Sequence, residues 1–187
     1  SPHEREMRSK GLPIFGLGLV FPISDDKIIC DPIDIPDHWP RIAAIDFGWN
    51  HPTAAVWMAW DRETDTTYLY HEYRQSERTA QHHAMVITQA SKWIPVAWPH
   101  DGLAHDKGSG DGLAQQYKDY GVNILPEHFR NPMAMGQTGK GDNRIEPGIN
   151  ALLEAMIDGR FKVFSTCKQW FEEKGTYHRN NGKIVDT

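Results

Sequence analysis

From residue 42 onward the apolar positions follow the short periods of β-strands. Residues 42–47 are a compact apolar run ending in Asp46-Phe47. Residues 53–60 alternate, with Ala55, Trp57 and Ala59 on one side and Ala54, Val56, Met58 and Trp60 on the other. Residues 61–65 are a polar turn, and residues 66–73 read as a third strand. Short connections make these three an antiparallel meander. The period then lengthens. Residues 78–93 bring Ala80, Ala84, Ile87 and Ala90 to one helical face, with His82 and His83 expected on the helix surface. Residues 96–98 return to a strand, 112–120 to a helix closed by Gly121, and 122–125 to another strand. Residues 126–145 read as a loop. A helix over 147–158 turns Ile149, Leu152, Leu153 and Met156 inward and stops at Gly159. A strand over 161–164, a helix over 165–173 and a hairpin turning at Asn180-Asn181-Gly182 complete the pattern.

The order β-β-β-α-β-α-β-α predicts an α/β domain with a mixed central sheet: an antiparallel meander, then βα units, flanked by helices. That is the order of the ribonuclease H-like fold. Seven Pro and Gly residues punctuate positions 13–40, and Pro at this density disfavours regular structure. Residues 1–40 are therefore expected to be an arm or linker over the surface, and 41–187 the domain. Within the arm, 17–21 could form a short strand.

The chemistry concentrates at two strand exits. Asp46 ends the first strand, and Trp98-Pro99-His100-Asp101-Gly102 ends the fourth. A strand interior cannot hold an unpaired charge, so each acid belongs where its strand emerges. Alone, either Asp is equally well a turn former. On neighbouring strands the two form a carboxylate pair suited to a hard divalent cation, Mg²⁺ or Mn²⁺. That pairing is the geometry of a metal-dependent phosphodiesterase.

Composition narrows the setting. The chain of 187 residues carries a net charge of −5, with 39% hydrophobic and 24% charged residues, as in soluble globular domains. No apolar stretch approaches the roughly 20 residues of a membrane span, and no signal peptide opens the chain, so no membrane partner is expected. Cys30 and Cys167 lack CxxC spacing, which argues against structural zinc and favours a reducing, intracellular setting. The polar start without Met reads as a fragment of a longer polypeptide or a processed terminus. From residue 128 onward nine Lys or Arg face seven Asp or Glu, a balance of +2, and the remainder is −7. A slightly basic C-terminal part fits phosphate contact.

Within that part, Lys140 and Arg144 belong to a Gly-rich loop, and Arg179 and Lys183 to the basic hairpin. All four are candidate DNA contacts, with a solvated surface as the alternative. Residues 134–141 nearly match a Walker A loop, but Gly141 stands where Ser or Thr must hold Mg²⁺, so ATP binding is rejected there. Residues 105–112 could wrap a phosphate ahead of the next helix, with Asp111 as its N-cap, or be a plain loop. His51 and His100 adjoin the two acids, and Trp49 lies beside Asp46.

Several short motifs, in this order, resemble one family: Ile45-Asp46-Phe47-Gly48-Trp49 followed by Pro52-Thr53-Ala54, then Trp98-Pro99-His100-Asp101-Gly102. Gly159-Arg160-Phe161-Lys162-Val163-Phe164 and Tyr177-His178-Arg179 with Gly182-Lys183-Ile184-Val185 follow. The chain resembles the C-terminal nuclease domain of the large terminase subunit of tailed bacteriophages of the headful-packaging group. The resemblance implies an endonuclease that cuts concatemeric double-stranded viral DNA. It implies two Mg²⁺ or Mn²⁺ ions, with Asp46 and Asp101 as catalytic, metal-binding acids. The family's third acid follows the tail hairpin; Asp186 is the acid nearest to it here. The resemblance also implies an N-terminal ATPase domain on the same polypeptide, the portal and small terminase subunit as partners, and action in the host-cell cytoplasm. The rival expectation is a non-catalytic DNA-gripping or portal-docking module.

Overall fold

The computed structural model describes residues 18–104, 112–132, 141–180 and 183–185. The meander forms as the pattern predicts: β2 (Arg41–Asp46), β3 (Thr53–Asp61) and β4 (Thr66–Gln75) pair antiparallel in sequence order. β5 (Val96–Ala97) adds in parallel to β2, and β6 (Phe161–Phe164) in parallel to β4. A further strand, β1 (Ile29–Cys30), lies parallel to β6, giving a six-stranded sheet of order β1-β6-β4-β3-β2-β5. The mixed sheet is flanked by four helices: α1 (Ala80–Ala90), α2 (Leu113–Asp119), α3 (Ile145–Ile157) and α4 (Lys168–Thr176).

Each sheet face has its own core. Trp57, Ala55, Ile45 and Val96 meet Ala84, Ile87 and Tyr117 of α1 and α2. Leu69 and Val163 meet Ile149 and Met156 of α3 on the other side, where Leu152, Leu153 and Trp170 pack at the margin. The inward residues expected for the 147–158 helix are thus its packed face, although α3 starts two residues earlier; Pro147 sits in the first turn, where its missing N–H costs nothing.

Four expectations change. Residues 18–40 do more than cover the surface: Ile28 is fully buried, Val20 and Phe21 join the α3 core, and β1 extends the sheet. Of the strand expected over 17–21, the described residues 18–21 form an isolated antiparallel bridge, Leu19 to His178. His83 is buried, not on the surface, because position 83 lies with Ala80, Ala84 and Ile87 on the apolar stripe. Its Nδ1 meets the Tyr73 hydroxyl at 2.7 Å. The strand expected over 122–125 is a single parallel bridge, Ile124 to Val96. Pro95 and Pro99 flank β5 and lack N–H groups, so the ladder cannot lengthen there.

The tail hairpin forms, with β7 (His178–Asn180) antiparallel to β8 (Lys183–Val185). Asn180 opposite Lys183 fits the two-residue turn read from the sequence. Residues 105–111 and 133–140, which hold the two glycine-rich candidate loops, Asp111 and Lys140, lie outside the described residues, as do 186 and 187.

Candidate functional site

β2 and β5 are adjacent and parallel, with Ala44 opposite Ala97, so both leave the sheet at one edge. Asp46 is the last residue of β2. Beyond β5, Trp98 and Pro99 lead into a 3-10 turn, His100–Leu103, that carries Asp101. Both acids are exposed.

The two exits are locked together by a glycine. A methyl group at buried Gly102 would lie 2.6 Å from the Trp98 ring and 2.7 Å from the Phe47 ring. Only hydrogen fits between the rings, so the Gly102 backbone comes directly against Phe47. Phe47 follows Asp46 and Gly102 follows Asp101, which fixes the two acid-bearing segments against one another.

The loop beyond Asp46 is also held. The Thr53 hydroxyl, buried, donates to the Gly48 carbonyl at 2.9 Å and accepts from the Gly48 N–H at 3.1 Å. A side chain at Gly48 would collide with the His51 carbonyl. The Tyr117 ring packs at a tilt against Phe47 with centroids 5.0 Å apart. Burial pushes the Tyr117 hydroxyl up to about 12, so it stays protonated beside Thr53 at neutral pH.

Asp46 faces the side of the sheet covered by α3 and α4. A cleft of about 600 Å³ there is lined by Asp46, His51, Arg74 and Glu173. A second cleft, of about 700 Å³, is lined by His100, Asp101 and Arg144. Phe21, Ile145, Leu152 and Tyr177 line both, so the clefts share one wall. The His100 ring packs on His128, 5.0 Å between centroids, and His128 accepts from Arg130 while its Nδ1 donates to the Phe129 carbonyl.

The basic candidates differ in what they touch. Arg144 lines the Asp101 cleft and pairs with Asp142 at 2.6 Å. The Arg144 hydrogen bond, aided by Asn131, holds the Asp142 carboxyl down at about 2. Arg179 donates both terminal nitrogens to Glu146 at 2.7 Å each, tying β7 to the first turn of α3. That pairing lowers the Glu146 carboxyl below its ordinary range. Lys183 is placed by its backbone in β8. Lys140 lies outside the described residues.

Two exposed carboxylates at one sheet edge supply hard oxygen donors of the kind Mg²⁺ and Mn²⁺ prefer. Among the described residues no group of three His, Cys, Asp or Glu side chains is disposed to hold a metal ion. The donor set fits a divalent cation through these two acids.

The fold recurs in known proteins. A family model described as the terminase RNase H-like domain matches residues 43–187. The chain belongs to that family. It is 46% identical over 186 residues to the large terminase subunit of Salmonella phage P22, covering 99% of this chain and 36% of that one. The same identity holds for the subunit of Enterobacteria phage LP7, with 38% of its length covered. This terminase domain therefore spans somewhat over a third of those relatives. The P22 large terminase nuclease domain superimposes with a TM-score of 0.80 at 45% identity, over 92% of this chain and 86% of that one. The large terminase nuclease of the thermophilic phage G20c, solved with bound cobalt, shares the fold at a TM-score of 0.59 and 18% identity, over 90% and 87% of the two chains.

Sequence reasoning singled out the two acids at the strand exits but not what holds their segments. The Thr53–Gly48 staple and the Phe47–Gly102 contact lie inside the quoted motifs, yet nothing in their spacing tells that they touch. Arg74 and Glu173 carried no local signal, since their approach depends on α4 docking against β4.

Proposed function

We propose that this terminase domain is a divalent-metal-dependent endonuclease that cuts concatemeric double-stranded viral DNA during genome packaging in the host-cell cytoplasm. The observation that supports this most is the meeting of the β2 and β5 exits, which sets Asp46 and Asp101 at one edge through the Phe47–Gly102 contact. Asp46 would bridge two Mg²⁺ or Mn²⁺ ions and Asp101 would hold one of them. Bound there, the ions supply activation of water and neutralisation of the leaving 3′ oxygen.

The chain's own residues do the positioning. The Thr53 staple fixes the backbone that follows Asp46, and Trp98 and Phe47 fix the Asp101 turn. Exposure of both acids lets a duplex approach from solvent. Contacts of this kind are made to phosphates, which carry no base information, so cutting is largely sequence-independent. An N-terminal ATPase domain on the same polypeptide would drive packaging, with the portal and the small terminase subunit as partners.

Asp46→Asn tests the reading. The parent should nick and linearise supercoiled plasmid in Mn²⁺ or Mg²⁺, and the variant should not. Wild-type rates from the variant remove the proposal. The rival, a DNA-gripping or portal-docking module without catalysis, draws on the absence among the described residues of a third metal-ligating side chain beside the two acids. It predicts salt-sensitive DNA binding with no cleavage in either protein.

A further inference from the structure

Asp46, Ala54 and Arg74 form one row across the sheet: Asp46 is paired with Ala54 on β3, and Ala54 with Arg74 on β4. Residues directly opposite on antiparallel strands project to the same face. The carboxylate and the guanidinium therefore rise from one face, their backbones roughly 10 Å apart at twice the strand spacing. Between them stands only the methyl group of Ala54, and all three residues line the same cleft. The other Lys or Arg lining that cleft, Lys174, is buried, donating to the Ile23 carbonyl and to Asp25.

Arg74 is held differently. Its Nε lies 2.6 Å from the Glu173 carboxylate, but that nitrogen makes no aligned hydrogen bond. The contact is one of charge rather than of directed donors. Both side chains are partly open to solvent, at 36% and 48% exposure, so DNA can reach them. Helix α4 does not depend on this pair for its position, because the Glu72 carboxylate accepts from the Gln169 and Trp170 N–H groups at 3.0 and 2.8 Å.

We infer that Arg74 grips a DNA phosphate flanking the one cut at Asp46, and that Glu173 occupies the guanidinium until DNA displaces it. A planar guanidinium matches the two free oxygens of a phosphodiester in the forked manner that one off-axis carboxylate contact does not supply. The inference deepens the nuclease reading and rests on it for the identity of the neighbouring acid. Its test does not depend on cleavage.

The experiment measures binding of a fluorescent duplex to this chain by anisotropy across a KCl series, with EDTA present so that no cutting runs. Arg74→Gln should weaken binding about tenfold, as loss of one charged hydrogen-bonded contact does. It should also lower the log–log salt slope by about 1, the signature of one phosphate contact removed. Arg74→Lys should keep the slope while losing part of the affinity. Glu173→Gln should strengthen binding several-fold by releasing Arg74. Thermal melts run alongside report folding. If Arg74 and Glu173 merely brace α4, Glu173→Gln weakens binding or leaves it alone, and the Arg74→Gln slope matches the parent; either result overturns the inference. Cleavage by Asp46→Asn is scored separately. Should that variant cut while Arg74→Gln loses its unit of slope, the metal reading fails and the phosphate grip stands.

Discussion

Replacing Glu72 by Ala should loosen α4 from a distance of almost a hundred residues in sequence. The residue before the helix, Cys167, offers no capping side chain, so the first N–H groups of α4 depend on another part of the chain. Glu72, reaching from β4, accepts two of them, from Gln169 and Trp170. A carboxylate at a helix N-terminus also meets the positive end of the helix dipole. Each charged hydrogen bond is worth about 1.5–3 kcal/mol when buried. Gln169 is exposed and its freed N–H can turn to water, so the pair together should cost about 2 kcal/mol, the upper end for a lost helix cap. For a chain of this size, that corresponds to a fall in Tm of roughly 4–8 °C. Glu72→Gln keeps one acceptor oxygen and should lose about half as much. Circular-dichroism melts of the two variants and the parent decide it. A Glu72→Ala melt that coincides with the parent, or a Gln variant less stable than the Ala variant, would refute the reasoning.

Gly102→Ala should force the Trp98 and Phe47 rings apart, costing about 1–3 kcal/mol as overpacking does, and cut plasmid cleavage while leaving both acids in place; unchanged cleavage would show that the strand exits need no lock. Met156→Ala, at a fully buried α3 position, should cost about 2–5 kcal/mol in urea unfolding, and a smaller loss would mean that α3 packs loosely. Stability should also fall as the solution is acidified. Burial lowers the His83 pKa below its ordinary 6.5, with His82 nearby adding to the shift and a hydrogen bond to the Arg78 backbone opposing it, so the unfolded chain takes up the proton first. The His83 contribution is complete above pH 6.5 and is lost as pH drops from there toward the folded value. Between about pH 5 and 8 the urea midpoint of the parent should rise with pH, and His83→Leu should flatten that rise. His71, shifted the same way by its own burial, accounts for the slope that remains.

The meander was legible because its first strand is a compact apolar run, its second alternates, and the turn after it, Asp61–Asp65, is polar throughout. The location of Asp46 and Asp101 at strand exits was legible because each follows an apolar run. β1 was not: it has two residues, lies inside a Pro- and Gly-punctuated segment, and exists only because β6 offers it a parallel partner. His83 could have been placed, since Ala80, Ala84 and Ile87 mark its face; the error came from treating His as polar when a buried hydroxyl partner was available in Tyr73. Tertiary relations left no trace in local pattern. Glu72 capping α4, Arg179 pairing with Glu146 and Gly102 seating two rings each join residues brought together only by the completed fold.

The central claim, that Asp46 and Asp101 share a cation, is tested most directly by soaking crystals of the domain in Mn²⁺ and collecting at a wavelength where manganese scatters anomalously. The account predicts an anomalous peak between the two carboxylates, lost in Asp46→Asn. Manganese absent from that edge at saturating concentration, or bound elsewhere with both acids turned away, would contradict it.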